Sequence, residues 1–280
     1  MSNMAGTGPK RTLSRQDYDV GWICALPIEG TAAEAVLDEI HEAPPGLQHD
    51  INTYTLGSLG DHNVVICRLP ATHYGTNNAS SIATHLQRSF PSIQIRLMVG
   101  IGGGVPGNRQ DVRLGDVVVG TLTTQYDFGK EIHDGPFQIT SLTVRPPPNL
   151  MTAVSKLQSE HEVTPPALAS TVAELIAGQK LPPHFANPGR DRDWLFESAY
   201  EHDPRMDDCL DCDQSKISPR PSRPDEQPRI HYGTIASGNR VIKRARTRDS
   251  IVEKTGALCF EMEAAGLVDH FPCLVIRGIC

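Results

Sequence analysis

No apolar run in the 280-residue sequence approaches the roughly 20 residues that a membrane-crossing helix needs, and Met1 to Lys10 holds no hydrophobic signal region. That argues against a helical membrane anchor and leads to the expectation of a cytoplasmic protein. Positive charge is also short, with 26 Lys and Arg against 33 Asp and Glu and a formal net charge of -7. Such a surface argues against nucleic acid or an anionic membrane as the main partner; a small neutral or metal-neutralised substrate fits better. Cysteine is sparse and odd in number, seven in all, and four of them (Cys24, Cys67, Cys259, Cys273) fall in apolar stretches. This is the pattern of reduced core residues, not of a disulfide framework.

What is present reads as one large α/β unit. Residues 1 to 16 are polar without a periodic apolar face and read as a disordered lead-in, with the domain proper over 17 to 280. Val20 to Ala25 reads as a strand and Ile28 to Ile40 as a helix. Tyr54 to Leu59 and Val64 to Leu69, joined by Gly60-Asp61-His62-Asn63, read as a hairpin. A helix over Gly75 to Phe90 and a buried strand from Arg96 to Val99 follow, then a strand over Asp116 to Thr124 and helices over Leu150 to Gln158 and Ala167 to Ala177. From Leu181 to Pro228 the composition turns to Pro, Asp, Arg and Ser, which marks an insertion outside the core. A strand (Ile230 to Ser237), a helix (Val241 to Lys254) and a last strand-helix-strand close the chain. The pattern predicts a mixed, mostly parallel central sheet flanked by helices.

Four stretches could carry chemistry. Gly100-Ile-Gly-Gly-Gly104 follows a strand and reads either as a tight turn or as a loop that brings backbone N–H groups to a ligand. Gly102, Gly104 and Gly107 formally spell GxGxxG, but Pro106, Asn108 and Arg109 lead to another strand and not to the helix a dinucleotide site requires. Glu29 follows the first strand, where a carboxylate can cap a helix or act as a general base. Glu261-Met262-Glu263 ends a strand ahead of Ala264-Ala265-Gly266; its acids are either helix-start carboxylates or acceptors for a sugar diol, each charge-assisted bond being worth about 1.5–3 kcal/mol. Cys209-Leu-Asp-Cys212, with His202 and His231, is half of a zinc spacing. It reads as solvated loop cysteines or as a structural zinc site, and no metal is assigned to it.

Together, Trp22-Ile-Cys-Ala-Leu-Pro-Ile-Glu29, Leu97-Met-Val-Gly-Ile-Gly-Gly-Gly104, Arg113-Leu-Gly-Asp-Val-Val-Val119, Tyr126-Asp-Phe-Gly129, His231-Tyr-Gly-Thr-Ile-Ala-Ser-Gly-Asn239 and Phe260-Glu-Met-Glu-Ala-Ala-Gly266 resemble the nucleoside phosphorylase and nucleosidase superfamily. The form they resemble is the domain found at the N-terminus of fungal multidomain proteins. The resemblance implies cleavage of the bond between ribose C1′ and a purine nitrogen. It implies Glu263 as the ribose ligand, Met262 under the sugar, Glu261 as a neighbouring site residue counted with Glu29 as catalytic, and Val241 and Ile242 against the base. Gly100, Ile101, Gly102 and Gly103 would line the entry of the nucleophile, and Glu29 would position water. It further implies no cofactor, with phosphate as co-substrate only in a phosphorylase, and a homo-oligomer whose sites are completed across a dimer interface.

Hydrolysis is favoured because the phosphorylase arginine and serine correspond here to Met98 and Ile101, leaving Arg96 or a neighbouring subunit's arginine to hold phosphate. The resemblance places a proton-donating aspartate and a closing helix directly after Cys280, and such an acid contributes about 10²–10⁴ in rate. The 280 residues by themselves are therefore expected to be impaired as an enzyme. The alternatives are a phosphorylase and a non-catalytic nucleoside-binding or effector module of a larger signalling protein.

Overall fold

The computed structural model describes residues 10–45, 50–107, 110–133, 137–189, 191, 193–203, 205–206, 208–225 and 227–280. Strand β1 (Val20–Cys24) leads into helix α1 (Pro27–Ala35), and the short β2 (Glu39–Ile40) pairs with β3 (Tyr54–Leu59). β3 turns back into β4 (His62–Arg68), α2 (Thr76–Ser89) follows, and β5 (Ile95–Gly104) runs through the glycines. After β6 (Val117–Gln125), β7 (Gly129–Lys130) and β8 (Gln138–Ile139) form a small separate ribbon, and β9 (Thr143–Val144) joins the edge of β6. Helices α3 (Pro148–Val163) and α4 (Leu168–Ala177) precede the insertion, and β10 (Ile230–Ser237), α5 (Ala245–Thr255), β11 (Ala257–Glu261) and β12 (Leu274–Ile279) complete the order.

Among the described residues the main sheet runs β11-β10-β6-β12-β5-β1-β4-β3-β2. β4, β1, β5 and β12 are parallel neighbours, as are β6, β10 and β11, while β12 and β6 are antiparallel. β5 first pairs with β12 and then meets β11 antiparallel, Gly103 opposite Phe260 and Gly104 opposite Cys259, so that five strands close into a ring. The main core lies between the sheet and α2, with Ile23, Val65, Ile82, Leu86, Phe90, Met98 and Val275 among its buried members. On another face Leu150 and Val154 of α3 pack on Val119 and Leu274.

Several expected boundaries move. The first helix stops at Ala35, because Glu39 and Ile40 hydrogen-bond as strand to Ser58 and Gly57 while Leu37 is buried. The hairpin loop is shorter than expected: His62 and Asn63 already pair with Leu59 and Ser58, and Gly60 takes the left-handed turn at φ 57°. The glycine run is strand and not loop. A Cβ at Gly102 would lie 2.7 Å from the Phe260 carbonyl oxygen and one at Gly104 2.7 Å from Ile279 Cγ2, so the missing side chains let the ring close. Val241 and Ile242 precede their helix, which begins at Ala245, and the Ala-rich segment after Glu263 is a single 3₁₀ turn, Ala264–Gly266. At the N-terminus Thr12 bridges Glu42 and Arg15–Asp17 forms a 3₁₀ turn, so residues 12–16 are not without structure; residues 1–9 of the expected lead-in lie outside the described residues.

Candidate functional site

The apolar run Leu274–Ile279 carries one guanidinium, and its partners define the site. Arg277 has 0% of its surface exposed and sits opposite Gly100 in the β5–β12 register. A Cβ at Gly100 would collide with both Arg277 and Glu29, so the glycine makes room for the guanidinium to lie across β5. Nη2 of Arg277 donates to Glu261 and lies 3.5 Å from Glu263 Oε2. Burial works against the charge on Arg277, but the carboxylates of Glu261, Glu263 and Glu29 outweigh it and hold the guanidinium protonated.

The three carboxylates are placed by different elements. Glu29, in the first turn of α1, accepts from Ala25 N at 2.6 Å and Leu26 N at 2.8 Å through Oε2, and from Ile101 N at 2.8 Å through Oε1. It caps its own helix and also ties that helix to β5, so capping and a place in the site are one arrangement. Glu261 ends β11 and accepts from the amides of Glu263 at 3.1 Å and Ala264 at 3.0 Å besides Arg277. Glu263 is less well satisfied: its Oε2 takes a 3.3 Å bond from Met262 N. Burial first, and then the neighbouring Glu261, push its carboxyl up to about 7, with Arg277 offsetting part of the rise.

A cavity of about 410 Å³ opens over this floor, within the range of small-ligand sites. Glu29, Ile101, Gly102, Gly103, Val241, Ile242, Glu261, Met262 and Glu263 all line it; Gly100 does not, lying beneath Arg277. The wall also includes Leu26, Tyr74, Arg240, Phe260 and Cys280, none of which the sequence reading assigned to a site. Arg277 could have been found, since a lone arginine in an apolar strand must meet an acid. Tyr74 carried no comparable signal. Two other assignments change. Met98 is 0% exposed in the main core and takes no part in the cavity wall. Arg96 lies near the start of β5, with its guanidinium over the Phe271 ring at 5.1 Å, five residues before the cavity begins at Ile101. It does not supply a phosphate site. A second cavity of about 450 Å³, bordered by Thr124, Phe137 and Lys254, has no carboxylate in its wall.

His231 is not near Cys209 and Cys212 but donates to Asp116 at 2.8 Å. Asp116 is also gripped by both terminal nitrogens of Arg223 at 2.7 Å and by the amides of Arg113 and Arg229, each at 2.9 Å. Although burial raises it, Arg223, His231 and these amides hold Asp116 well below the usual carboxylate range. Arg220 reaches Asp111 at 2.7 Å and, within the insertion, Asp193 at 3.2 Å, so Arg220 and Arg223 fasten the insertion to the segment that leads into β6.

The sequence pattern of the phosphorylase superfamily matches residues 19–269. The chain belongs to that superfamily. This superfamily member is 40% identical over its whole length to a nucleotide-binding leucine-rich repeat (NLR)-like protein of Hyaloscypha variabilis, of which it spans 28%. It is 25% identical to a 5′-methylthioadenosine/S-adenosylhomocysteine nucleosidase of Mycobacterium tuberculosis, over 93% of this chain and 84% of that one. The corresponding nucleosidase of Neisseria meningitidis, solved with methylthio-immucillin-A, superimposes with a TM-score of 0.55 at 16% identity over 93% and 84% of the two chains. At that identity the likeness concerns the fold. Within the described residues, no helix is long and apolar enough to cross a membrane.

Proposed function

We propose that the cavity binds a purine nucleoside and cleaves its N-glycosidic bond by hydrolysis. The observation that carries this reading is the composition of the floor: three carboxylates, Glu29, Glu261 and Glu263, around one guanidinium, Arg277. A phosphate dianion entering such a floor meets net negative charge, whereas water and a ribose diol meet acceptors. The likeness to a 5′-methylthioadenosine/S-adenosylhomocysteine nucleosidase supports an adenosine-like substrate.

In this reading Glu263 accepts from the ribose hydroxyls, Met262 packs under the sugar, and the exposed Val241 with Ile242 covers the base. Glu261, already engaged by Arg277 and two amides, is a positioning residue that holds Glu263 and the turn after it. Water bound at Glu29 attacks C1′ and gives its proton to that carboxylate. The C1′–N bond breaks, its electron pair leaves with the base, and the base takes up a proton. β12 delivers Cys280 to the cavity wall.

The test is to incubate the chain with adenosine or 5′-methylthioadenosine and follow free adenine chromatographically, with and without inorganic phosphate. Slow adenine release without phosphate, lost in Glu263→Ala, is the expected result. Strict phosphate dependence would replace hydrolysis by phosphorolysis. The much longer NLR-like relative supports a second reading, a nucleoside-sensing module of a larger protein, and calorimetric binding without base release would favour it.

A further inference from the structure

The segment between Glu197 and Lys216 holds a fold without a core. Its neck is closed by the Phe196–Ile217 bridge, by Glu197 N to Lys216 O at 2.9 Å, and by Phe196 stacked on Tyr200 at 5.2 Å. Beyond that neck no described residue from 197 to 216 is buried, although the chain makes a tight turn there, Cys212 N donating to Cys209 O at 3.2 Å. Small lobes that cannot bury apolar surface commonly rely on a covalent or metal staple.

Inside this lobe a ring nitrogen of His202 and the two sulfurs of Cys209 and Cys212 all lie within 4.8 Å of one another. A tetrahedral zinc ion, with Zn–S at about 2.3 Å and Zn–N at about 2.0 Å, separates its ligand atoms by roughly 3.5–3.8 Å, within small side-chain adjustments of this cluster. A second observation concerns the imidazole. His202 Nε2 lies 2.7 Å from the carbonyl oxygen of Asp208, which can only accept, so Nε2 carries the hydrogen and the neutral ring keeps its lone pair on Nδ1. Ligating histidines are oriented in this way, one nitrogen donating to a carbonyl and the other bound to the metal.

We infer that His202, Cys209 and Cys212 form a zinc site, with water in the fourth position, that staples the insertion. The ion displaces the two thiol protons as it binds, and the bound charge is balanced by two thiolates. The site stands outside the nucleoside cavity, none of its residues lining that cavity, and its role is structural.

The reduced chain, stripped with a chelator and dialysed against zinc chloride, should retain one zinc per chain by elemental analysis. Cys209→Ser with Cys212→Ser together should retain none, and His202→Ala should bind more weakly. Cobalt(II) in place of zinc should give the intense visible absorption of a tetrahedral thiolate site. Zinc should also slow tryptic cleavage after the exposed Arg205, at least about tenfold under saturating metal. That readout is internal to the folded chain and does not rely on a variant. Uptake of no zinc by the reduced protein, uptake that survives the double cysteine substitution, or cleavage at Arg205 indifferent to zinc would each overturn the assignment.

Discussion

The cavity floor and the anchor of the insertion are built from the same materials, carboxylates around buried or half-buried arginines, but their charges balance differently. At the anchor, Asp111, Asp116 and Asp193 face Arg113, Arg220 and Arg223, one for one, with His231 as an added donor. Asp116 is saturated with hydrogen bonds and held well below its ordinary range. At the floor, three glutamates share one arginine, and Glu263 is driven up to about 7 by burial and by Glu261. A balanced cluster satisfies itself and fastens two parts of the chain. An unbalanced one keeps acceptor capacity and directs it into a cavity, which is why perturbed groups of this kind point to ligand sites.

Substitutions on the two clusters test this contrast. Arg277→Leu should have the largest effect, about 3–5 kcal/mol of lost stability, because it leaves buried carboxylates without the guanidinium packed against them; denaturant unfolding measures it, and adding Glu261→Gln should restore part of the loss. Asp116→Ala should cost about 2–3 kcal/mol, less because the insertion can lift away and return its arginines to water. Base release per folded molecule should survive Asp116→Ala; if it falls as far as in Glu263→Ala, the anchor is not merely architectural.

Glu263→Gln should weaken adenosine binding about 10- to 100-fold by calorimetry, the loss of charge-assisted bonds to a diol, without destabilising the protein at pH 8. The smallest effect is the pH dependence of the same residue. Folding raises its carboxyl from the ordinary 4.5 to about 7, so the native state holds more protons in that interval. Its contribution to stability therefore falls as pH rises from about 4.5 to about 7 and is level above, seen as a difference between the parent chain and Glu263→Gln in unfolding experiments. Adenosine affinity should run the other way, rising as pH passes about 7, since the ionised form is the acceptor; an affinity flat across pH 6 to 8 would contradict the assigned role.

Much of this was legible in the sequence because it is local. The apolar runs and helical spacing located β1, β3, β10 and α2 nearly to the residue, and the acidic corner at Glu261 and Glu263 was visible as charge at the end of an apolar strand. The glycine run was legible as a place of close backbone approach but not as a strand, since its partner, β11, lies more than 150 residues away in the chain. Val241 and Ile242 carry helical periodicity yet stay outside α5, a choice made by the cavity they cover and not by propensity. Tyr74 and Cys280 came to the wall only through packing.

By itself the sequence determined the alternation of elements, the absence of a membrane-crossing helix among the described residues, and which residues carry charge into apolar surroundings. These follow from side-chain chemistry and short-range periodicity. Only the tertiary structure decided that Arg277 answers three glutamates from two distant segments, that β5 closes a ring onto β11, and that His202 joins Cys209 and Cys212 while His231 goes to Asp116. Those are pairings between remote stretches of chain, and they are set by which arrangement leaves the fewest buried charges and backbone groups unsatisfied.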